Sequence, residues 1–385
     1  MNKIITILII LLHCTSSNFG QNYERYKSPV DTIIVSNSLG YGKKISVLLP
    51  IEWQKDQSNT FPLVIIFDRQ NRRSNNYILN TIDYLTSNEQ MPSAIVVSIE
   101  SEQRYRYQET QYKISDPNGH AIENERFLFG ELIPFIRNSY RASTFNLLIG
   151  HSRHGYLTTS LFASRILELN GVIAMSPFFF QDHVNLVDSI ASVNKLNVNF
   201  KKFYRFDIGN DFPEDYLKMD SMVRANISNP MIDIKGYCFK NADHNVTPGL
   251  LISNALYEIF EDWSGFQKEY ISNEQKDPGI KYALDNEILQ TYGVPINFSI
   301  GILNGKGSYF YNEKQYEKAI LAWKILTEVY PNFSEAYLNI IDARIQLKQD
   351  YSEELQAFKV SLERSKIYSV SDKKELEYNL QELIN

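Results

Sequence analysis

The chain has 385 residues, enough for one large or two medium domains and ample to bury a core. With 43% hydrophobic residues, 22% charged residues and a formal net charge of −6, it is neither a disordered nor a fibrous sequence, and its acidic balance argues against nucleic-acid binding. Of its two cysteines, Cys14 falls in a segment expected to be removed, which leaves Cys238 alone and excludes a disulfide framework or a cysteine-based zinc site.

Lys3, the apolar run from Ile4 to Leu12, and then Ser16, Ser17 and Gly20 follow the order of a secretory signal peptide. Residues 1–20 are therefore expected to be cleaved and the protein exported, with the loss of Lys3 taking the net charge from −6 to −7. A lipoprotein signal through Cys14 is the competing reading, disfavoured by the bulky His13 before it. No later run of 18 apolar residues exists, so no transmembrane span is expected in the mature chain.

Residues 31–36 and 44–49, turned by Leu39-Gly-Tyr-Gly42, read as an antiparallel hairpin at a sheet edge. Buried strands are expected at 63–67, 94–98, 147–149, 172–174 and 203–206, because each is a short apolar run rich in Val, Ile and Phe. Helices are expected near 75–87, 122–139, 154–169, 213–226 and 250–266, the second distorted by Pro134. This alternation gives a doubly wound, mostly parallel α/β sheet over residues 21–267.

Residues 268–304, with the breakers Pro278, Gly279 and Pro295, read as a linker, and residues 305–385 as a small all-α region of helical hairpins. Gly307, Phe310, Ala319, Trp323 and Pro331 have the relative spacing of a tetratricopeptide repeat, and a weaker second unit begins near Ser334. Such a tail either leans on the first domain or binds a protein partner; the alternative is a helical hairpin with no binding role.

Leu147-Leu-Ile-Gly-His-Ser-Arg-His-Gly155 places Ser152 between an apolar strand and a helix, the setting of a nucleophile elbow. A sharp turn there would expose the hydroxyl and aim the Arg153 backbone N–H at a developing oxyanion. Gly150 supplies the small residue two places before the serine. His154 stands two places after it, where the pattern Gly-x-Ser-x-Gly would have glycine.

The stretches Lys44-Ile-Ser-Val-Leu-Leu-Pro50, Phe61-Pro-Leu-Val-Ile-Ile-Phe-Asp68, Phe127 to Tyr140, Ile149-Gly-His-Ser152, Met175-Ser-Pro177 and Asp243-His-Asn-Val-Thr-Pro248 occur in the order found in one esterase family. Over residues 30–267 the chain resembles that family within the α/β-hydrolase superfamily, the group that includes esterase D-like and siderophore esterases. The resemblance implies a cofactor-free serine esterase acting on a small-molecule ester, and a helical tail agrees with it.

A serine hydroxyl needs a base and the base an orienting carboxylate, in the chain order serine, acid, histidine. His244, in a polar loop after the candidate strand 232–239, is the expected base, which the resemblance also implies. Asp211, just past the strand ending in Ile208-Gly-Asn-Asp211, is the first choice of acid, with Glu214 and Asp215 open. The second oxyanion donor is expected from the Arg69 backbone N–H, with Gln70 next. His151, His154 and Phe178 are expected to line the site, and no metal site is expected. Arg69, Arg72, Arg73, Arg104, Arg106 and Arg153 either crowd the entrance and favour an anionic substrate or are solvated surface residues. A catalytically impaired hydrolase fold, its elbow distorted by His154 and its tail used for protein binding, is the rival reading.

Overall fold

A computed structural model describes residues 23–54, 57–272 and 277–384, so the expected signal segment and Cys14 lie outside the described residues. The strands are β1 (Val30–Val35), β2 (Gly42–Leu48), β3 (Phe61–Ile66), β4 (Ile95–Ile99), β5 (Ala142–His151), β6 (Gly171–Met175), β7 (Phe180–Gln181), β8 (Val184–Asn185), β9 (Lys202–Ile208) and β10 (Ile232–Cys238). Eight of them form one sheet in the order β1-β2-β4-β3-β5-β6-β9-β10. Pairing is antiparallel from β1 to β2 and from β2 to β4, and parallel from there on. The antiparallel edge and doubly wound parallel body are those expected from the sequence.

Strands β3, β4, β6 and β9 are buried along their whole length because helices cover both faces. Between and after the strands come α1 (Arg72–Ser87), α2 (Gln103–Glu109), α3 (Ala121–Arg126), α4 (Ile133–Tyr140), α5 (Arg153–Ser164), α6 (Leu186–Val193), α7 (Pro213–Asn226), α8 (Thr247–Ile259) and α9 (Glu261–Ser272). One face packs Val64, Leu147 and Ile173 against α1 and α8; the other packs Ile65, Leu148 and Tyr204 against α4 to α7. A π-helical stretch, Phe127–Leu132, joins α3 to α4 just before Pro134. The proline has no N–H to give to the preceding turn, and the ladder slips by one residue there.

Three ionisable residues, Lys202, Arg205 and Asp207, are buried on β9. Arg205, fully buried, donates to Asp233 on β10 and to Glu258 on α8, both at 2.7 Å. This ion triad ties the last parallel strand to the helix that follows it.

The segment 268–304 is not a linker. It contains the end of α9 and α10 (Ile280–Tyr292), whose Leu284, Ile288 and Tyr292 are buried at four-residue spacing. The tail is helical, with α11 (Ile300–Asn312), α12 (Tyr316–Val329), α13 (Ser334–Gln346), α14 (Ser352–Arg364) and α15 (Val370–Ile384). Trp263, Tyr292, Phe298, Phe310 and Trp323 belong to the same continuous core as Val64 and Leu147 on the sheet. Polar contacts follow the same seam: Asn332 Nδ2 donates to Gln54 Oε1 at 2.9 Å and Ser299 Oγ to Glu89 Oε1 at 2.7 Å. The tail therefore leans on the first domain, while α13 to α15 add a small core of their own around Leu338, Phe358 and Leu376.

Gly307 lets α11 approach α12, since a β-carbon there would stand 2.3 Å from Trp323 Nε1. Gly307→Ala is expected to destabilise the protein by about 1–3 kcal/mol through overpacking. Gly249→Ala, where nothing lies within 4 Å in the first turns of α8, is expected to gain up to about 1 kcal/mol. Urea denaturation of both variants checks the contrast.

Candidate active site

Strands β5, β6, β9 and β10 are parallel neighbours, so the residues that follow each of them gather along one edge of the sheet. Ser152 follows β5, Phe178 follows β6, Asp211 follows β9 and His244 follows β10.

Ser152 has φ 59° and ψ −118°, a conformation that costs an L-residue of order 1–3 kcal/mol and marks a strained strand-to-helix turn. The turn depends on Gly150, where a β-carbon would meet the His154 carbonyl oxygen at 2.3 Å. Ser152 N–H donates to the Met175 carbonyl at 2.8 Å, pinning the turn to the end of β6. Arg153 opens α5, so its N–H is one of the helix's free first-turn donors.

His244 Nδ1–H donates to Asp211 Oδ2 at 2.5 Å. The two loops approach because Gly209 carries no β-carbon, which would lie 2.3 Å from the Ala242 carbonyl, and Asn210 N–H bonds that carbonyl at 2.8 Å. Asp215 is occupied elsewhere, accepting from Phe179 N–H at 3.0 Å, and Glu214 is exposed on α7.

His151 connects this pair to the serine's own strand. Its Nε2–H donates to the His244 carbonyl at 2.9 Å, and the two imidazoles lie 4.6 Å apart. Burial lowers the His151 pKa to about 4, so the ring is neutral at physiological pH. Ser152 Oγ makes no hydrogen bond with His244 among the described residues; in ligand-free hydrolases that bond is commonly long and tightens with substrate. An aromatic row completes the wall: Phe178 stacks on Tyr156 at 4.8 Å and meets Phe212 at 6.4 Å, and Phe212 meets His244 at 6.4 Å.

Two expected roles are corrected. His154 does not line the site: it is fully buried beneath the turn, stacked on Phe67 at 4.7 Å, with Nδ1 3.0 Å from Asp68 Oδ2. The Arg69 N–H is already spent on the Ile99 carbonyl at 2.9 Å, so it cannot hold an oxyanion. Gln70, the second choice, has an N–H that no acceptor among the described residues takes.

The arginines divide as well. Arg106 grips Asp68 through two bonds of 2.7 Å, Arg69 pairs with Asp31 and Arg104 with Glu102. Arg72 and Arg73 are exposed at the start of α1. Arg153 is half-buried, and its hydrogen-bond partners among the described residues are neutral, including Thr110 Oγ1 at 3.2 Å and Gln111 Oε1 at 2.9 Å.

Two acids not singled out from the sequence surround the site from below. Asp68 is held well below the usual carboxylate range: burial works against ionisation, and His154 and Arg106 overcome it. Asp207, fully buried on β9, accepts from Ser176 N–H at 2.8 Å; the Thr247 hydroxyl is close enough to favour its charged form, but its other oxygen makes no well-formed hydrogen bond among the described residues. Burial first, with Asp211 adding repulsion, raises its pKa to about 7. An acid within a buried, aromatic-rich strand is the signal available in Phe203-Tyr-Arg-Phe-Asp207. No group of three or more metal-ligating side chains occurs among the described residues.

A sheet of this order, with a strained serine turn after its central strand and an acid and a histidine after later strands, is the α/β-hydrolase fold. No family model and no curated protein matches the chain. Among solved structures it is similar to an IroE-like serine hydrolase from Shewanella oneidensis, with TM-score 0.61 and 15% identity over 78% of this chain and 99% of that one. It is also similar to an uncharacterised protein from Capnocytophaga ochracea, with TM-score 0.60 and 13% identity over 93% and 99% of the two chains. The BES protein from Bacillus cereus gives TM-score 0.50 and 15% identity over 60% and 96%. At such identities the likeness is one of fold. The Capnocytophaga match, at 93% of this chain, takes in most of the C-terminal helices as well.

The raised Asp207 pKa has a stability consequence. Its unfolded value lies near 3.8, so its protonated form favours folding below pH 4, and that contribution is lost as pH rises to about 7. Asp207→Asn removes the loss. Its stability relative to the parent is expected to grow by about 1.4 kcal/mol for each pH unit between about 4 and 7, and to level off above that. Denaturation from pH 4 to pH 8 checks it; a constant difference would contradict the assignment.

Proposed function

We propose that this protein is an exported serine hydrolase that cleaves carboxylic esters through an acyl-enzyme. The observation that carries the reading is the strained turn at Ser152, joined through His151 to a histidine that is itself hydrogen-bonded to the partly buried carboxylate of Asp211. The name of the Shewanella neighbour, a serine hydrolase, is in line with it.

In this reading the Ser152 hydroxyl attacks the ester carbonyl while His244 Nε2 takes its proton. His244 then returns the proton to the leaving alcohol, and water repeats the sequence on the acyl-enzyme. Asp211 fixes the tautomer, because a proton held on Nδ1 leaves Nε2 free to accept. The oxyanion is met by the N–H groups of Arg153 and Gln70, each such donor being worth ~100- to 1000-fold in rate. Export rests on residues 1–20, and among the described residues no helix is long and apolar enough to cross a membrane.

The rival reading, an elbow spoiled by His154, is disfavoured by the backbone. The strained φ at Ser152 is present with a histidine two places on, because that side chain is directed into the core toward Asp68. The seam between the tail and the first domain supports a structural part for the helices, and a protein partner is not needed to account for them.

A fluorophosphonate probe is expected to label the protein at Ser152 and to leave Ser152→Ala unlabelled. Equal labelling of the two would overturn the reading. On a p-nitrophenyl ester, Asp211→Asn is expected to lower kcat by about 10⁴-fold, as loss of the correct histidine tautomer does in serine proteases. Glu214→Gln is expected to stay within about two-fold, since that side chain is exposed on α7.

A further inference from the structure

Of the arginines near the serine, Arg153 alone is both half-buried and unmatched by a carboxylate among the described residues. Its guanidinium lies 3.4 Å from the Tyr107 ring centroid and 5.8 Å from that of Phe178. It is further fixed by Thr110 and Gln111 from the segment after α2. Burial lowers its pKa from the ordinary arginine value; Tyr107 opposes that shift and nearby Arg106 adds to it. A fixed cation that has lost part of its water and gained no counter-charge offers strong, charge-assisted hydrogen bonds to an incoming anion. It needs little further ordering to make them.

Its position decides which anion it meets. Arg153 directly follows Ser152, and its guanidinium lies on the aromatic row that runs through Phe178 and Phe212 to His244. A group bound there belongs to the molecule whose carbonyl is at the serine. We infer that Arg153 makes the site selective for esters bearing a carboxylate close to the scissile bond. This rests on the esterase reading above and narrows it to a substrate class.

The test uses the full chain and two matched pairs of substrates. With the charge on the acyl side, p-nitrophenyl hemisuccinate is compared with p-nitrophenyl valerate; with the charge on the alcohol side, 4-acetoxybenzoate is compared with 4-acetoxytoluene. The carboxylate member of one pair is expected to be favoured in kcat/KM, and Arg153→Met is expected to reduce that charged-to-neutral ratio about 10-fold or more. Arg153→Lys is expected to keep part of it. The pair that responds tells which side of the ester carries the anion.

Binding of the uncleavable amides N-(4-nitrophenyl)succinamic acid and N-(4-nitrophenyl)pentanamide, followed by calorimetry, gives a readout independent of turnover. If both ratios and the relative amide affinities are the same in the parent and Arg153→Met, the inference is wrong. Turnover of the neutral esters under that outcome would leave the esterase reading standing. Conversely, an Arg153-dependent preference for the acidic amide without any ester turnover would uphold anion recognition and overturn the esterase reading.

Discussion

One buried carboxylate organises the centre of this molecule. Asp68, two residues past the end of β3, accepts from Arg106 Nε and Nη2 and from Gln70 Nε2, each at 2.7 Å, and from His154 Nδ1 at 3.0 Å. Those donors belong to three different pieces of chain: α2, the loop after β3, and the helix that begins at the serine turn. A carboxylate buried this deeply is tolerable only with such a complete set of donors, and removing one partner would strand the rest at considerable cost. In return it ties the loop that carries Gln70 to the helix that begins at Arg153, the two segments of the proposed oxyanion donors. The histidine at the elbow is thus a substitute for glycine packing: a flat ring slid under the turn, stacked on Phe67 and anchored by charge.

How much of this could be read in the sequence follows from the range of the forces involved. The sheet, the antiparallel edge and the serine turn are written in local patterns, apolar runs and a glycine at a fixed offset, so they were legible. The Asp211–His244 pair was legible because both residues follow recognisable strands. The role of His154 was not, since its partner lies 86 positions away and the residue type alone gives no direction. Nor could the loss of the Arg69 N–H be seen, because it depends on the positive φ of Asp68 and on the end of a neighbouring strand. The supposed linker failed for a different reason. Leu284, Ile288 and Tyr292 carry a helical period, but Pro278, Gly279 and Pro295, which bound the helix rather than interrupt it, have the same composition as a loop.

The β4–α3 connection and the tail are comparable, because both cover a face that the basic sheet leaves bare. The first supplies Arg106, Tyr107, Thr110 and Gln111, and so shapes the chemistry beside the serine. The second supplies Phe310, Trp323 and Tyr330, and so completes an interior far from it. Polar, directional contacts dominate one and apolar area the other. This division fits the proposed catalytic rim, which would have to be fixed in position, and a scaffold that need only be dry.

The shared interior has a bearing on the life of the chain during synthesis. Residues as late as Ala343 enter the same core as the strands near residue 64. Until that part of the polypeptide has left the ribosome, the hydrophobic face formed by α8 to α10 stays uncovered, although the opposite face of the sheet already has α4 to α7 to pack against. For a protein exported as proposed, that delay is useful, because a chain still unable to close its interior remains threadable through a translocation pore.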